Sequence, residues 1–380
     1  MYDASMKIKD FWTESYFDQY EFSVRYQLCN SDCESISVGE LLTFSGSSAE
    51  EFNQLNLGYT PASGDLLLRD NIAAQYSDIV ADDVVVLGSP VEGIFLAAHA
   101  LLEKGDEVIV MTPAYDALLN VFEFVVGNEN VKNWNLDKCS QGWQPSLADL
   151  ETLITPRTKL LVTNFPHNPT GYLPTLSFQK ELCELVRETG VTLFCDEMYF
   201  GLVHAPAVEI PPINNVLPEA ISLCGLSKTL GLPGLRSGWL IVKNEKLRRQ
   251  LVNWKHYTSL CPSAPSQFLA NLALKALPQI KNRNLGIIQQ NLNFADEFFR
   301  KHSDSFQWNR PSGGSTALVQ WKVPSVSELA HELAAKNEIL ILPTLGLGMD
   351  DHHFRIGLGR KGFEKALSKF DEWLTKNDIA

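Results

Sequence analysis

The chain has 380 residues, of which 45% are apolar and 20% charged, enough for one large domain and a smaller one. A formal net charge of −13 argues against nucleic acid and anionic membrane surfaces as partners. No apolar run is long enough to span a bilayer, and the seven cysteines form no CxxC pair, so a reduced cytoplasmic protein is expected.

The polar, aromatic start "MYDASMKIKDFWTESYF" lacks a signal-peptide core. Residues 1–45 contain no strand series, so they are expected to form an arm or to join a smaller domain. Ser37 and Glu40 have the spacing of a capping box, which predicts a short helix at "SVGELL" with Gly39 inside it. "DDVVVLG" then reads as a buried strand, and "VEGIFLAAHALLEKG" as a helix closed by Gly105. "DEVIVMTP" and "TKLLVTNFP" are strands stopped by Pro113 and Pro166. "LSFQKELCELVRETG" is a helix ending at Gly190, followed by the strands "VTLFCDE", "AISLCGLSK" and "RSGWLIV". Apolar strands alternating with helices predict an α/β fold with a mostly parallel sheet covered on both faces, placed at 46–275. In 276–380 the pattern changes to a smaller α+β unit. It has a hairpin-rich "SFQWNRPSGGSTALVQWKV", a Ser-x-x-Glu helix start at "SVSELAHELAAKN", a strand "HHFRIGLG" and a final amphipathic helix.

In an open parallel sheet, ligands bind beyond the carboxyl ends of the strands. The polar residues expected there are Ser89, Tyr115, Asn168, Asp196 and Lys228. Asp196 alone could cap a helix, Asn168 could open a turn before Pro169, and Tyr115 could be core. Lys228 is different. A lysine among small and apolar residues is either paired or catalytic, and desolvation makes its amine a nucleophile toward carbonyls.

At these residues the sequence resembles a known family. "SKTLGLPGLRSGW" is similar to the lysine region of the fold-type I pyridoxal-phosphate enzymes, the aminotransferase class I/II family. "NFPHNPTG" resembles that family's Asn-Pro-x-Gly turn, "CDEMYFG" its Asp-x-x-Tyr segment, and "FRIGLG" its substrate-arginine strand. "LGYTPASGDLLLRDNIA" resembles its Tyr-x-x-x-x-Gly stretch. The spacings agree: 28 residues from Asn168 to Asp196, three from Asp196 to Tyr199, and eight from Lys228 to Arg236.

The resemblance implies pyridoxal 5'-phosphate as cofactor, with Lys228 as the Schiff-base lysine and proton carrier. It implies Asp196 at the ring nitrogen, Tyr199 and Asn168 at the phenolic oxygen, and Tyr115 stacked on the ring. Ser227, Arg236 and the loop Ser89, Pro90 and Val91 would meet the phosphate, and Arg355 would clamp the substrate carboxylate. Tyr59 would reach the neighbouring active site of a homodimer. There are departures. Gly225 stands where many relatives carry a hydroxyl three before the lysine. Pro90 lacks an N–H and Val91 a hydroxyl, which predicts a cup resting on Arg236, Ser227, Tyr59 and backbone amides.

The activity so implied is an aminotransferase passing an amino group from an amino acid to a 2-oxo acid. The alternative is a lyase or cyclase on the same cofactor, because the N-terminal segment is similar to that of capreomycidine-synthase-like members. A third reading, a non-catalytic sensor, is opposed by the retained Lys228, Asp196 and Arg355. "GLGRKG" matches a dinucleotide fingerprint, but only residues 363–380 come after it, too few for a βαβ unit. His167 is expected to shape the Asn-Pro turn. His352 and His353 are expected on a surface loop or the cleft rim, and no metal site is expected.

Overall fold

The structure, a computed structural model, describes residues 8–139 and 142–377. Its centre is an eight-stranded sheet. The strands are β1 (Val84–Leu87), β2 (Glu107–Thr112), β3 (Val131–Cys139), β4 (Gly142–Pro145), β5 (Thr158–Asn164), β6 (Thr192–Asp196), β7 (Ile221–Gly225) and β8 (Gly238–Ile241). Their spatial order is β1-β8-β7-β6-β5-β2-β3-β4. The core strands β7, β6, β5, β2 and β3 run parallel, as the alternating pattern predicts. Strand β8 is antiparallel to both its neighbours, and β4 folds back antiparallel on β3, so the sheet is mixed.

Both faces are covered. In β1, Val85 and Leu87 pack under the helices Pro90–Leu101 and Ala117–Val126, while Val84 and Val86 face the opposite side, against Ala264–Lys275. That is the period-two alternation of a strand buried on both sides, and all four residues are buried. The helix Pro90–Leu101 ends at Leu102, short of Gly105, which turns the chain at φ +93°. The helix Leu176–Thr189 closes on Gly190 in the left-handed conformation as expected.

A second sheet, antiparallel, is built from β9 (Phe306–Trp308), β10 (Thr316–Trp321), β11 (Leu342–Pro343) and β12 (His353–Gly357), in the order β9-β10-β12-β11. Helices Leu277–Lys301 and Phe363–Lys376 pack on it around Trp321, Phe354 and Phe370. The N-terminal residues lean on this part of the molecule. Tyr26–Gln27 pairs in parallel with Ile339–Leu340, and helix Trp12–Tyr20 buries Tyr16 and Tyr20 against Leu340, Leu342 and Leu347. The capping box at Ser37 is present, with the Glu40 N–H on Ser37 Oγ and the Glu40 carboxylate accepting the Ser37 N–H. Gly39 is therefore an exposed helical residue. His353 departs from its expected place: it is buried inside β12, where its Nδ1 meets Asp350 Oδ1 at 2.6 Å, while His352 is exposed.

Candidate active site

The parallel strands end at one edge, and the polar residues come within a few positions of those ends. Tyr115 lies three residues after β2 and Asn168 four after β5. Tyr199 lies three after β6 and Lys228 three after β7. The register aligns Asn164 with Asp196, which fixes the two strand ends side by side. Asn164 then ties them together: its Nδ2 donates to Asp196 O at 2.9 Å, and its Oδ1 accepts the Asn168 N–H at 2.6 Å. His167 shapes the same turn through Thr170 Oγ1 at 2.8 Å.

Asp196 is buried, and its Oδ1 accepts the Met198 N–H at 3.0 Å. Burial outweighs that bond and pushes its carboxyl up to about 6. A buried carboxylate in this state is matched by a cationic N–H, which a protonated pyridine nitrogen supplies. Lys228 is set deep in the cleft and donates from Nζ to Ser31 Oγ at 2.7 Å. Burial lowers its pKa, against the opposing pull of Asp32, Glu14 and Asp196, and Arg355 lowers it further. Tyr199 is also buried and shares Ser31 as a hydrogen-bond partner.

Arg355, on β12, is only 1% exposed. Its Nη1 donates to Asn168 Oδ1 at 3.1 Å and its Nη2 to Cys29 O at 2.9 Å, both neutral acceptors. Its Nε is buried with no partner. A guanidinium this deep is costly without an anion, so the donor set fits a substrate carboxylate.

The N-terminal segment supplies residues that the sequence reading missed. Residues 28–34 thread between the lysine loop and β12. Cys33 N–H donates to Lys228 O at 3.2 Å, and the Gly357 N–H donates to Leu28 O at 2.6 Å. This places Ser31 on Lys228, and Asp32 under a bidentate grip from Arg360, with Nη2 contacts of 2.8 and 2.7 Å. Helix Trp12–Tyr20 crosses to Tyr115. Phe11 packs on the Tyr115 ring at 5.2 Å, and the Tyr115 hydroxyl donates to Glu14 Oε1 at 2.8 Å. Burial, and then Glu14, push the Tyr115 phenol well above its ordinary value. Nothing in "CNSDCESIS" singles out Ser31 from sequence, because it belongs to no periodic element.

The remaining expected residues lie on separate segments. Ser89 caps it through the Glu92 N–H, and Pro90 takes the first helical position. Val91 comes next in that first turn, and Ser227 is buried in the loop after β7. Arg236 is exposed, sits at φ +46°, and donates from Nη1 to Pro233 O at 3.0 Å. Tyr59 stands apart, 92% exposed on this chain.

The family described as "Aminotransferase class I and II" matches residues 38–368. Capreomycidine synthase of Streptomyces vinaceus is 29% identical over 95% of this chain and 92% of its own length. A probable aspartate aminotransferase of Methanocaldococcus jannaschii is 25% identical, over 91% and 95%. Among solved structures, a PLP-dependent aminotransferase from Streptococcus suis superposes with a TM-score of 0.90 at 26% identity, covering 98% of this chain and 99% of that one. Among the described residues no helix is long and apolar enough to cross a membrane. This chain belongs to the aminotransferase class I and II family and is a pyridoxal-phosphate-dependent enzyme.

Proposed function

We propose that the chain is an aminotransferase acting on the α-carbon of an amino acid, with a 2-oxo acid as acceptor. The observation that carries this is the buried Arg355 guanidinium, held by neutral groups with an unpartnered Nε, beside a desolvated Lys228. Arg355 binds the substrate carboxylate and so presents the α-carbon to Lys228. Lys228, kept short of protons by burial and held by Ser31, takes the α-proton and returns it. Asp196 would hold the proton on the ring nitrogen, Tyr199 and Asn168 would bond the phenolic oxygen, and Tyr115 would cover the ring. Ser227, Arg236 and the helix end after Ser89 would hold the phosphate. Bound pyridoxal phosphate supplies the electron sink for the carbon that loses its proton. The 92% exposure of Tyr59 fits a residue that completes the site of a second copy, hence a homodimer, and the cytoplasm is the proposed location.

A second reading, a lyase or cyclase, has a specific observation in its favour. The similarity to capreomycidine synthase extends over 95% of the chain. The N-terminal carboxylates Glu14, Glu21 and Asp32 also surround the lysine. Asp32 and Glu14 act on Lys228, and Glu21 feels Asp32, Glu14 and Lys228. Asp32 is neutralised by Arg360, whereas Glu14 accepts from a phenol and Glu21 from the Asn30 amide at 3.2 Å. Among the described residues neither Glu14 nor Glu21 makes an ion pair, which suits a substrate whose side chain is positively charged.

The test is to mix cofactor-loaded protein with a panel of amino acids without any oxo-acid acceptor, and to measure oxo acid, ammonia and new amine products. One equivalent of oxo acid without ammonia supports the aminotransferase. Continuous ammonia or a ring-closed product supports the second reading. No change with any amino acid overturns both.

A further inference from the structure

Two features look like separate departures from the resembled pattern in sequence: Pro90, which lacks an N–H, and Gly225, which lacks a side chain. In the fold they are one contact. Gly225 and Gly238 are direct cross-strand partners on β7 and β8. A methyl group built on Gly225 would lie 3.0 Å from Pro90 Cγ and 3.0 Å from Ser237 O. One built on Gly238 would lie 2.9 Å from Pro90 Cγ and 2.9 Å from Cys224 O. The proline ring therefore fills a socket that only a pair of glycines leaves open. Farther along the same helix, a methyl on Gly93 would meet Leu87 Cδ1 at 2.7 Å and Leu223 Cδ1 at 2.8 Å. The first turn is seated close on the sheet at both points.

The donors at this helix end are few. Pro90 has no N–H. The Gly88 N–H is committed to Glu92 Oε2 at 2.7 Å, and the Glu92 N–H to Ser89 O at 3.1 Å. The N–H groups of Ser89 and Val91 remain for an anion. Two donors serve an anion only if they are held at the right height, and Ser227 and Lys228 come just after Gly225 on the same loop.

We infer that Pro90 and the Gly225–Gly238 socket are a positioning device. The ring sets the helix end against the strand that delivers Ser227 and Lys228, and so fixes where the cofactor phosphate is held. This rests on the pyridoxal-phosphate assignment and goes beyond it, because it gives the proline ring a steric part in placing the phosphate.

The experiment is a double-mutant cycle on the full chain, reading the dissociation constant of pyridoxal phosphate by fluorescence titration and the melting temperature of the cofactor-free protein. Gly225→Ala overpacks the socket and should weaken cofactor binding at least about tenfold. Adding Pro90→Ala removes the ring that the new methyl strikes. The contact of the methyl with Ser237 O at 3.0 Å remains, so the double variant should recover part of the loss and bind at least about threefold tighter than Gly225→Ala alone. A Gly225→Ala chain that does not fold while the double variant folds and binds gives the same support. Native affinity in Gly225→Ala overturns the inference, as does a double variant that folds no better and binds no tighter than Gly225→Ala. So does a loss confined to the melting temperature of the cofactor-free protein, because a purely structural contact would move that and leave the dissociation constant alone. Failure of the native chain to bind pyridoxal phosphate would instead overturn the cofactor assignment itself.

Discussion

Replacing Arg355 by methionine should separate function from stability. The side chain is 1% exposed, and among the described residues its guanidinium has no carboxylate partner; it meets Asn168 Oδ1, Cys29 O and the Phe17 ring. A bidentate clamp on a carboxylate is made of charged hydrogen bonds worth about 1.5–3 kcal/mol each, so losing it costs roughly 3–4 kcal/mol of substrate binding. That is about a 10²–10³-fold fall in kcat/KM. Stability should behave differently. Removing an unpaired buried ion relieves a penalty of several kcal/mol. It also leaves two acceptors unsatisfied, at about 1–3 kcal/mol each. The terms oppose each other, and the melting temperature of the cofactor-free protein should move by less than about 5 °C. Steady-state kinetics on the best amino acid and a thermal melt make the comparison. A variant that keeps its KM, or one that unfolds at much lower temperature, would show that Arg355 holds the small sheet to the lysine loop and does not bind substrate.

Lys228→Ala should abolish turnover while the chain still folds; normal turnover in that variant refutes the assignment of the catalytic lysine. Burial raises Asp196 from 3.8 to about 6 and Glu197 from 4.5 to about 7. The folded state thus holds more protons than the unfolded state between those values. Stability of the cofactor-free protein should therefore fall as pH rises from about 4 to 7, by roughly 3 kcal/mol for each group. Urea midpoints across that range test this, with Glu197→Gln expected to flatten the slope; a rise in stability over the window would be the opposite sign. Cofactor affinity should increase over the same window, as Asp196 ionises and gains its cationic partner. If the side-chain reader is acidic, Glu14→Gln together with Glu21→Gln should raise KM for a cationic amino acid by about 10- to 100-fold and leave a neutral one within about threefold. Equal effects on both would leave the two carboxylates no role in side-chain recognition.

Lys228, Asp196, Asn168 and Tyr115 were legible because each interrupts an apolar run at its end, and strand ends share one edge in a parallel sheet. The reversed direction of β8 was not legible, since an apolar run reads the same both ways. Nor was the burial of His353, which depends on how β12 pairs with β10. Ser31 lies outside every periodic pattern, and only the threading of residues 28–34 past the lysine loop brings it to Lys228. The contact between Pro90 and Gly225 was invisible for the opposite reason. Both residues were noticed, but as unrelated departures, because a steric fit between distant segments leaves no signal at either position.

The N-terminal segment is where the choice between transamination and ring closure has a physical basis. In the proposed mechanism Lys228, Asp196 and Arg355 would serve any reaction that begins with loss of the α-proton, so they do not distinguish the outcomes. The fate of the substrate after proton loss depends on whether its side chain is held near the α-carbon or left free while the oxo acid departs. In the second reading Glu14 and Glu21 are the charged groups that would hold it, Asp32 being gripped by Arg360, and both belong to the first 45 residues. Helix Trp12–Tyr20 reaches Tyr115 with Glu14 while its other face is buried on Leu340 and Leu342, so this carboxylate is carried by a packed element and not by a loose end. A rigid reader costs little entropy on binding and favours retention of the side chain. On that reasoning, exchanging Glu14 and Glu21 for glutamine should alter the ratio of ammonia or cyclic product to oxo acid, and not only the rate. An unchanged ratio would place the decision elsewhere in the site.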